Sequence, residues 1–148
     1  MELRLTLFLP RDELSIPVVR RTLDGALKAL GVPRDEAHDI EVAVSEACTN
    51  VLDHVEQGEE YEITCSVSED LAQIEVVDTG SGFDSEGLGR VEAEHTAEEG
   101  RGIQLIRALT DHVQFETRPG DGSIVRFAKR LNLPQNAPAK VLSGTKSR

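Results

Sequence analysis

Glu46-Ala47-Cys48-Thr49-Asn50, then Asp78-Thr79-Gly80-Ser81-Gly82, then Gly100-Arg101-Gly102 are the stretches whose order decides how this chain folds. Around the first, Ile40, Val44, Ala47, Val51 and Val55 recur at helical spacing and form an apolar stripe. A helix turns about 100° per residue, so Glu46 and Asn50 project side by side. Asp39, Asp53 and Gln57 share their stripe, with His54 at its margin.

The second stretch follows Ile74-Glu75-Val76-Val77, which reads as a strand running into Asp78. A carboxylate at a strand end can accept from an exocyclic amine such as that of adenine, and Gly80 and Gly82 let backbone approach a flat base. The third opens a run of Ile103, Leu105, Ile106 and Leu109 at helical spacing over 102–111. Glycines at a helix start leave N–H groups beside the positive end of the macrodipole, a cradle for phosphate. Each piece alone has an ordinary explanation: a solvated helix face, an Asp-x-Gly turn, a glycine-rich helix entry. The three together, in this order, read as one nucleotide site.

That order resembles the GHKL ATPases, whose N box matches Glu46 and Asn50. Their first glycine box matches Asp78, Gly80 and Gly82, and their second matches Gly100 and Gly102. Within that superfamily Ser45-Glu46-Ala47-Cys48-Thr49-Asn50 with His54 looks most like the anti-sigma-factor serine kinases of Gram-positive bacteria. The resemblance implies a Bergerat-type ATP-binding fold: an α+β two-layer sandwich with a mixed, mainly antiparallel sheet and helices on one face. It implies Glu46 as general base toward a serine hydroxyl, Asn50 as the ligand of Mg²⁺ when ATP is bound, and Asp78 as the acceptor for adenine. Gly80, Gly82, Gly100, Arg101, Gly102 and Ser123 complete the nucleotide site, and residues 83–99 form the lid. Asp39 and Asp53 are placed to raise the Glu46 pKa if they lie close to it in space.

Partners implied by the resemblance are a sigma factor and an antagonist protein with a phosphorylatable serine, docked by a homodimer through its first helix. Arg20 and Arg21 stand off the apolar stripe of that helix. One departure from the family supports an alternative, an ATP-binding anti-sigma module without phosphotransfer. Some kinases of the family carry a basic residue just before the second glycine pair, where this chain has Glu98 and Glu99. A histidine-kinase catalytic domain is a third reading, opposed by the want of a helical dimerisation domain carrying a phosphoacceptor His.

Other nucleotide folds fit poorly. No Gly-x-x-x-x-Gly-Lys-Ser/Thr occurs, the lysines standing at 28, 129, 140 and 146, and there is no Gly-x-Gly-x-x-Gly. A chain of 148 residues suits one core, and with 39% hydrophobic and 3% aromatic residues that core must be built from Leu, Val, Ile and Ala. A net charge of −11 opposes non-specific nucleic-acid binding. No stretch nears the roughly 20 apolar residues of a membrane span, and residues 1–7 alternate like a strand, so a cytoplasmic location is expected. Cys48 and Cys65 lack metal-type spacing and read as reduced core thiols.

The remaining elements are strands at 2–9, 60–68, 112–118 and 123–131, a helix N-capped by Ser15 and stopping at Gly31, and a long helix from Pro33 to about Glu56. The domain is expected to occupy 1–132. Residues 133–148, with two prolines, three basic residues and no acid, read as a disordered basic tail.

Overall fold

Alternation of apolar and polar residues makes the strands, and it also fixes which face each strand buries. In the computed structural model, which describes residues 2–54, 60–78, 97–118 and 122–144, the strands are β1 (Leu3–Pro10), β2 (Glu60–Ser68), β3 (Leu71–Asp78), β4 (His112–Arg118) and β5 (Gly122–Arg130). They form one sheet in the order β1-β2-β3-β5-β4. All four pairings are antiparallel, so the parallel component expected of a mixed sheet is not found among the described strands. Tyr61, Ile63, Cys65 and Val67 of β2, Ala72, Ile74 and Val76 of β3, and Val125 and Phe127 of β5 are buried on the inner face.

The same parity carries two polar residues inward. Asp78 is in phase with Ile74 and Val76, and Ser123 with Val125 and Phe127; they are 2% and 6% exposed. Register sets Leu9 opposite Tyr61, Tyr61 opposite Asp78 and Asp78 opposite Ser123, so one row at one end of the sheet holds them all.

Helices α1 (Ser15–Leu30), α2 (Arg34–His54) and α3 (Ala97–Leu109) form the second layer, with α2 packed between α1 and α3. Val19, Leu23 and Leu27 of α1, Ile40, Val44, Ala47, Cys48 and Val51 of α2, and Ile106 of α3 are buried. Val55 and Gln57 of the expected α2 stripe lie outside the described residues. Ser15 is not an N-cap: it is the first helical residue, and its hydroxyl donates to Asp12 O and bonds the Tyr61 hydroxyl. Asp12 Oδ1 instead accepts from Leu14 N. At the other end Gly31 adopts φ 86°, and the N–H groups of Gly31 and Val32 return to Lys28 O and Leu27 O, a glycine-terminated helix end.

Residues 133–144 are not a disordered tail. Leu131, Leu133, Ala137 and Ala139 are buried, and α4 (Pro138–Gly144) packs on α1 and β2. Asn132 N donates to Glu36 Oε1 at 2.9 Å, and Lys140 Nζ pairs with Asp70 Oδ1 at 3.1 Å. A helix this short has little stability of its own. It is held by apolar contact with the first layer, which composition alone does not show. Residues 145–148 lie outside the described residues. No helix among the described residues is long and apolar enough to cross a membrane.

Candidate functional site

Helix α2 delivers Glu46 and Asn50 from consecutive turns, and the backbone of α3 comes up against both. A Cβ built on Gly102 would stand 3.4 Å from Asn50 Oδ1 and 3.5 Å from Glu46 Oε1. Glycine is what lets α3 approach so closely while keeping the space in front of the two side chains clear. Asn50 Nδ2 is buried and has no hydrogen-bond partner among the described residues. A buried amide donor left unmatched costs free energy that a ligand could recover.

The third element of the site is Asp78, at the inner end of β3 beside Ser123. Its carboxylate is already engaged: Arg11 Nη1 donates to Asp78 Oδ2 at 2.9 Å, with the two side chains 8% and 3% exposed. Arg11 Nη2 also donates to Val51 O at 2.8 Å, in the last turn of α2. Sequence reading missed Arg11. It sits alone in the turn after β1 with no periodic pattern to mark it, and only the register placing Leu9 on the row of Asp78 reveals it.

The second glycine box is displaced from its expected setting. The helix opens at Ala97, so Gly100 and Gly102 lie within α3 rather than at its N-terminus. Ala and Glu are good helix formers, and Ala97-Glu98-Glu99 extends the helix back past the glycines. The N–H groups lacking helical partners are those of the opening turn, ahead of the glycines, so in this helix Gly100 and Gly102 both fall inside the ladder. Arg101 is exposed on the same helix. Gly80, Gly82 and most of the lid, 83–96, lie outside the described residues.

Asp39 is paired across the layers, with Lys129 Nζ 3.5 Å from its Oδ2. Asp53 is exposed and lines a shallow cavity with Arg11, Thr49 and Leu52. The two cysteines are free and buried. Burial pushes the Cys48 thiol up to about 12 and the Cys65 thiol to about 11, so neither is a nucleophile at neutral pH. Burial, and then the neighbouring Cys48, raise the Tyr61 hydroxyl as well. No cluster of metal-ligating side chains occurs among the described residues.

The site thus joins a carboxylate and an amide against a glycine with a buried, paired aspartate at a strand end. The histidine kinase-like ATPase domain family matches residues 9–129. The chain belongs to that family. Among curated relatives, the serine-protein kinase RsbW of Bacillus licheniformis is 34% identical over 128 residues, 79% of each chain. That of Bacillus subtilis strain 168 is 33% identical over 128 residues, again 79% of each. That of Bacillus velezensis is 32% identical over 135 residues, 84% of this chain and 83% of the relative. A solved structure of the RsbU and RsbW domains of a Mycobacterium tuberculosis protein superposes with a TM-score of 0.64 at 18% identity. It covers 89% of this chain and 33% of that one, and it shows the shared fold.

Arg20 and Arg21 are exposed on α1. They line a groove of about 500 Å³ between α1 and α2, together with Lys28, Arg34 and His38 and with Asp24 and Glu41 among them. The Asp24 carboxyl is lowered by its hydrogen bond to Lys28 and then by one to Glu41. Glu41 is raised by burial and by that same contact with Asp24.

Proposed function

We propose that this protein is an ATP-dependent protein-serine kinase and anti-sigma factor. The observation that carries the reading is the convergence of Glu46 Oε1 and Asn50 Oδ1 at the face of Gly102. In this reading Glu46 would take the proton of an incoming serine hydroxyl as its oxygen bonds to the γ-phosphorus and the bond to the β–γ bridging oxygen breaks, releasing ADP. Asn50 would hold Mg²⁺ through its side-chain oxygen, an ion that takes oxygen ligands, keeps several waters and needs few protein groups once phosphate oxygens are present. When bound, Mg-ATP supplies the phosphoryl group and the neutralisation of its charge. Gly100 and Gly102 give backbone room at the phosphates, Arg101 is the nearby cation, and Ser123 supports the base beside Asp78. Asp78 accepts from the adenine amine, and Gly80 and Gly82 let the chain close on the ring.

The basic groove between α1 and α2 supports the partner reading. In a chain of net charge −11 it gathers five basic side chains, and Arg20 and Arg21 in it would meet acidic surfaces of a sigma factor and of a serine-bearing antagonist. A homodimer would present two such grooves.

Calorimetric titration of ATP with and without Mg²⁺, followed by transfer of γ-labelled phosphate to a serine-bearing anti-sigma antagonist protein, tests the whole reading. Wild type should bind more tightly with Mg²⁺ and label a serine. Glu46→Gln should bind equally well but transfer at least about a hundredfold more slowly. Binding without transfer by the wild type would leave the alternative, a nucleotide-dependent anti-sigma module. Glu98 and Glu99 just ahead of the second glycine pair, where some kinases of the family carry a basic residue, support that second reading.

A further inference from the structure

Arg11 belongs to none of the motifs that mark the family, yet it sits where the two halves of the nucleotide site meet. One nitrogen of its guanidinium holds Asp78 Oδ2 at the end of β3. Another holds the carbonyl of Val51, one residue beyond Asn50, in the last turn of α2. That carbonyl lies in the last turn of the helix, where a cation also meets the negative end of the helix dipole. The planar fork of arginine suits two acceptors at once, and burial of both side chains shields the pair from solvent.

We propose that Arg11 is a positioning residue for base recognition: it locks the Asp78 carboxylate against the end of α2 and so sets a preference for 6-amino over 6-oxo purine nucleotides. This rests on the reading of Asp78 as the adenine acceptor. A carboxylate with one oxygen fixed has its plane fixed, and an ionised carboxylate only accepts. Adenine presents a donor amine at position 6. Hypoxanthine presents an acceptor oxygen there, with its N–H donor one atom away at position 1. A locked carboxylate therefore rewards the amine and opposes the oxygen. A released one can turn toward the neighbouring N–H and accept the 6-oxo base.

The test is calorimetric titration of Mg-ATP and Mg-ITP into wild type, Arg11→Gln, Arg11→Lys and Asp78→Asn, each checked for folding by thermal melting. Wild type should favour ATP. Arg11→Gln should weaken ATP by about tenfold while changing ITP less, so that the ratio of affinities narrows. Arg11→Lys, a point charge that spans two acceptors poorly, should fall between them. Equal weakening of both nucleotides, or no change in the ratio, would assign Arg11 a structural role only and overturn the proposal. Should Arg11→Gln fail to fold, Arg11→Lys decides alone on the same criterion. A ratio altered by Asp78→Asn but not by either Arg11 variant would refute the role of Arg11 and keep that of Asp78. A wild type that binds ATP and ITP alike, with Asp78→Asn matching it, would remove both.

Discussion

The two ends of α2 treat their polar groups in opposite ways. At its start Glu36 is buried and its carboxylate receives both Asn132 N and Asn132 Nδ2, while Gly31 just before it lies against Ala137. Near its other end Asn50 keeps a buried amide nitrogen with no partner among the described residues, and Gly102, lacking a methyl group, leaves the space before Asn50 and Glu46 open. Hydrogen bonds completed within the chain contribute to stability. Those left open contribute to ligand binding, because a donor that protein has already satisfied has nothing to give a nucleotide. One helix thus serves as anchor at one end and as site at the other.

The anchored end should break most visibly. Gly31 combines a left-handed φ of 86° with a position where an added Cβ would meet Ala137 Cβ at 2.7 Å. Gly31→Ala should cost about 3 kcal/mol in urea unfolding, from backbone strain and overpacking together. Adding Ala137→Gly should recover the overpacking share and leave the strain. Nucleotide affinity of the folded fraction should not change. An equal loss of ATP binding would show that the two ends are not separate.

Glu36→Ala is the next in size. It removes the acceptor of two hydrogen bonds joining α2 to the C-terminal segment, and should cost about 1.5 kcal/mol, since Asn132 is exposed and water can replace part of what is lost. Its effect should appear as faster amide exchange over 131–142, with Mg-ATP affinity unaltered.

What the sequence made legible follows from what is local. Periodicity marked α1, α2 and all five strands, because each buried face repeats at 3.6 or 2 residues. It could not mark α4, whose seven residues depend on contact with α1 and β2, although Pro138 at its first position is a helix-start signal that reading for disorder passed over. In the site, Glu46 and Asn50 are legible as a pair because one helix fixes their spacing, and Gly102 joins them through the order of motifs that carries the family resemblance. Arg11 and the Asp39–Lys129 pair are not legible, because both join segments far apart in the chain. The helix expected over 102–111 begins earlier, at Ala97, because a glycine pair does not bound a helix when good helix formers precede it.

At the open end, Gly102→Ala should separate stability from function within one substitution. Replacing a helical glycine by alanine gains up to about 1 kcal/mol where the methyl fits. Here it fits, since 3.4 and 3.5 Å are ordinary contact distances. The variant should therefore melt higher than wild type. The same methyl would occupy the space shared by Glu46 and Asn50, so Mg-ATP binding should weaken by about tenfold or more. A variant that is both more stable and equally competent for nucleotide would move the ligand away from this face.

The smallest expected effect lies in the groove between α1 and α2, where the Glu41 carboxyl is raised by burial and by Asp24, against the pull of Arg20 and His38. A raised acid favours the folded state while protonated and loses that contribution as pH climbs from its ordinary value near 4.5 through the folded one. At pH 7 ionised Glu41 is therefore a mild burden, and Glu41→Gln should raise the melting temperature there, by no more than about 0.5 kcal/mol of stability for a site this near the surface. At pH 4, with the native carboxyl protonated, the variant and wild type should melt together. Asp24 works the other way: its lowered carboxyl contributes stability above its ordinary value that is lost on acidification, so Asp24→Asn should lower the melting temperature at pH 7. Opposite signs from two touching carboxylates would show that the groove holds one charge easily and the second reluctantly. A partner bringing cations to Asp24 and Glu41, or acids to the surrounding arginines, would then change the cost of that second charge, which makes the pH dependence of partner binding the finer measure of what this face receives.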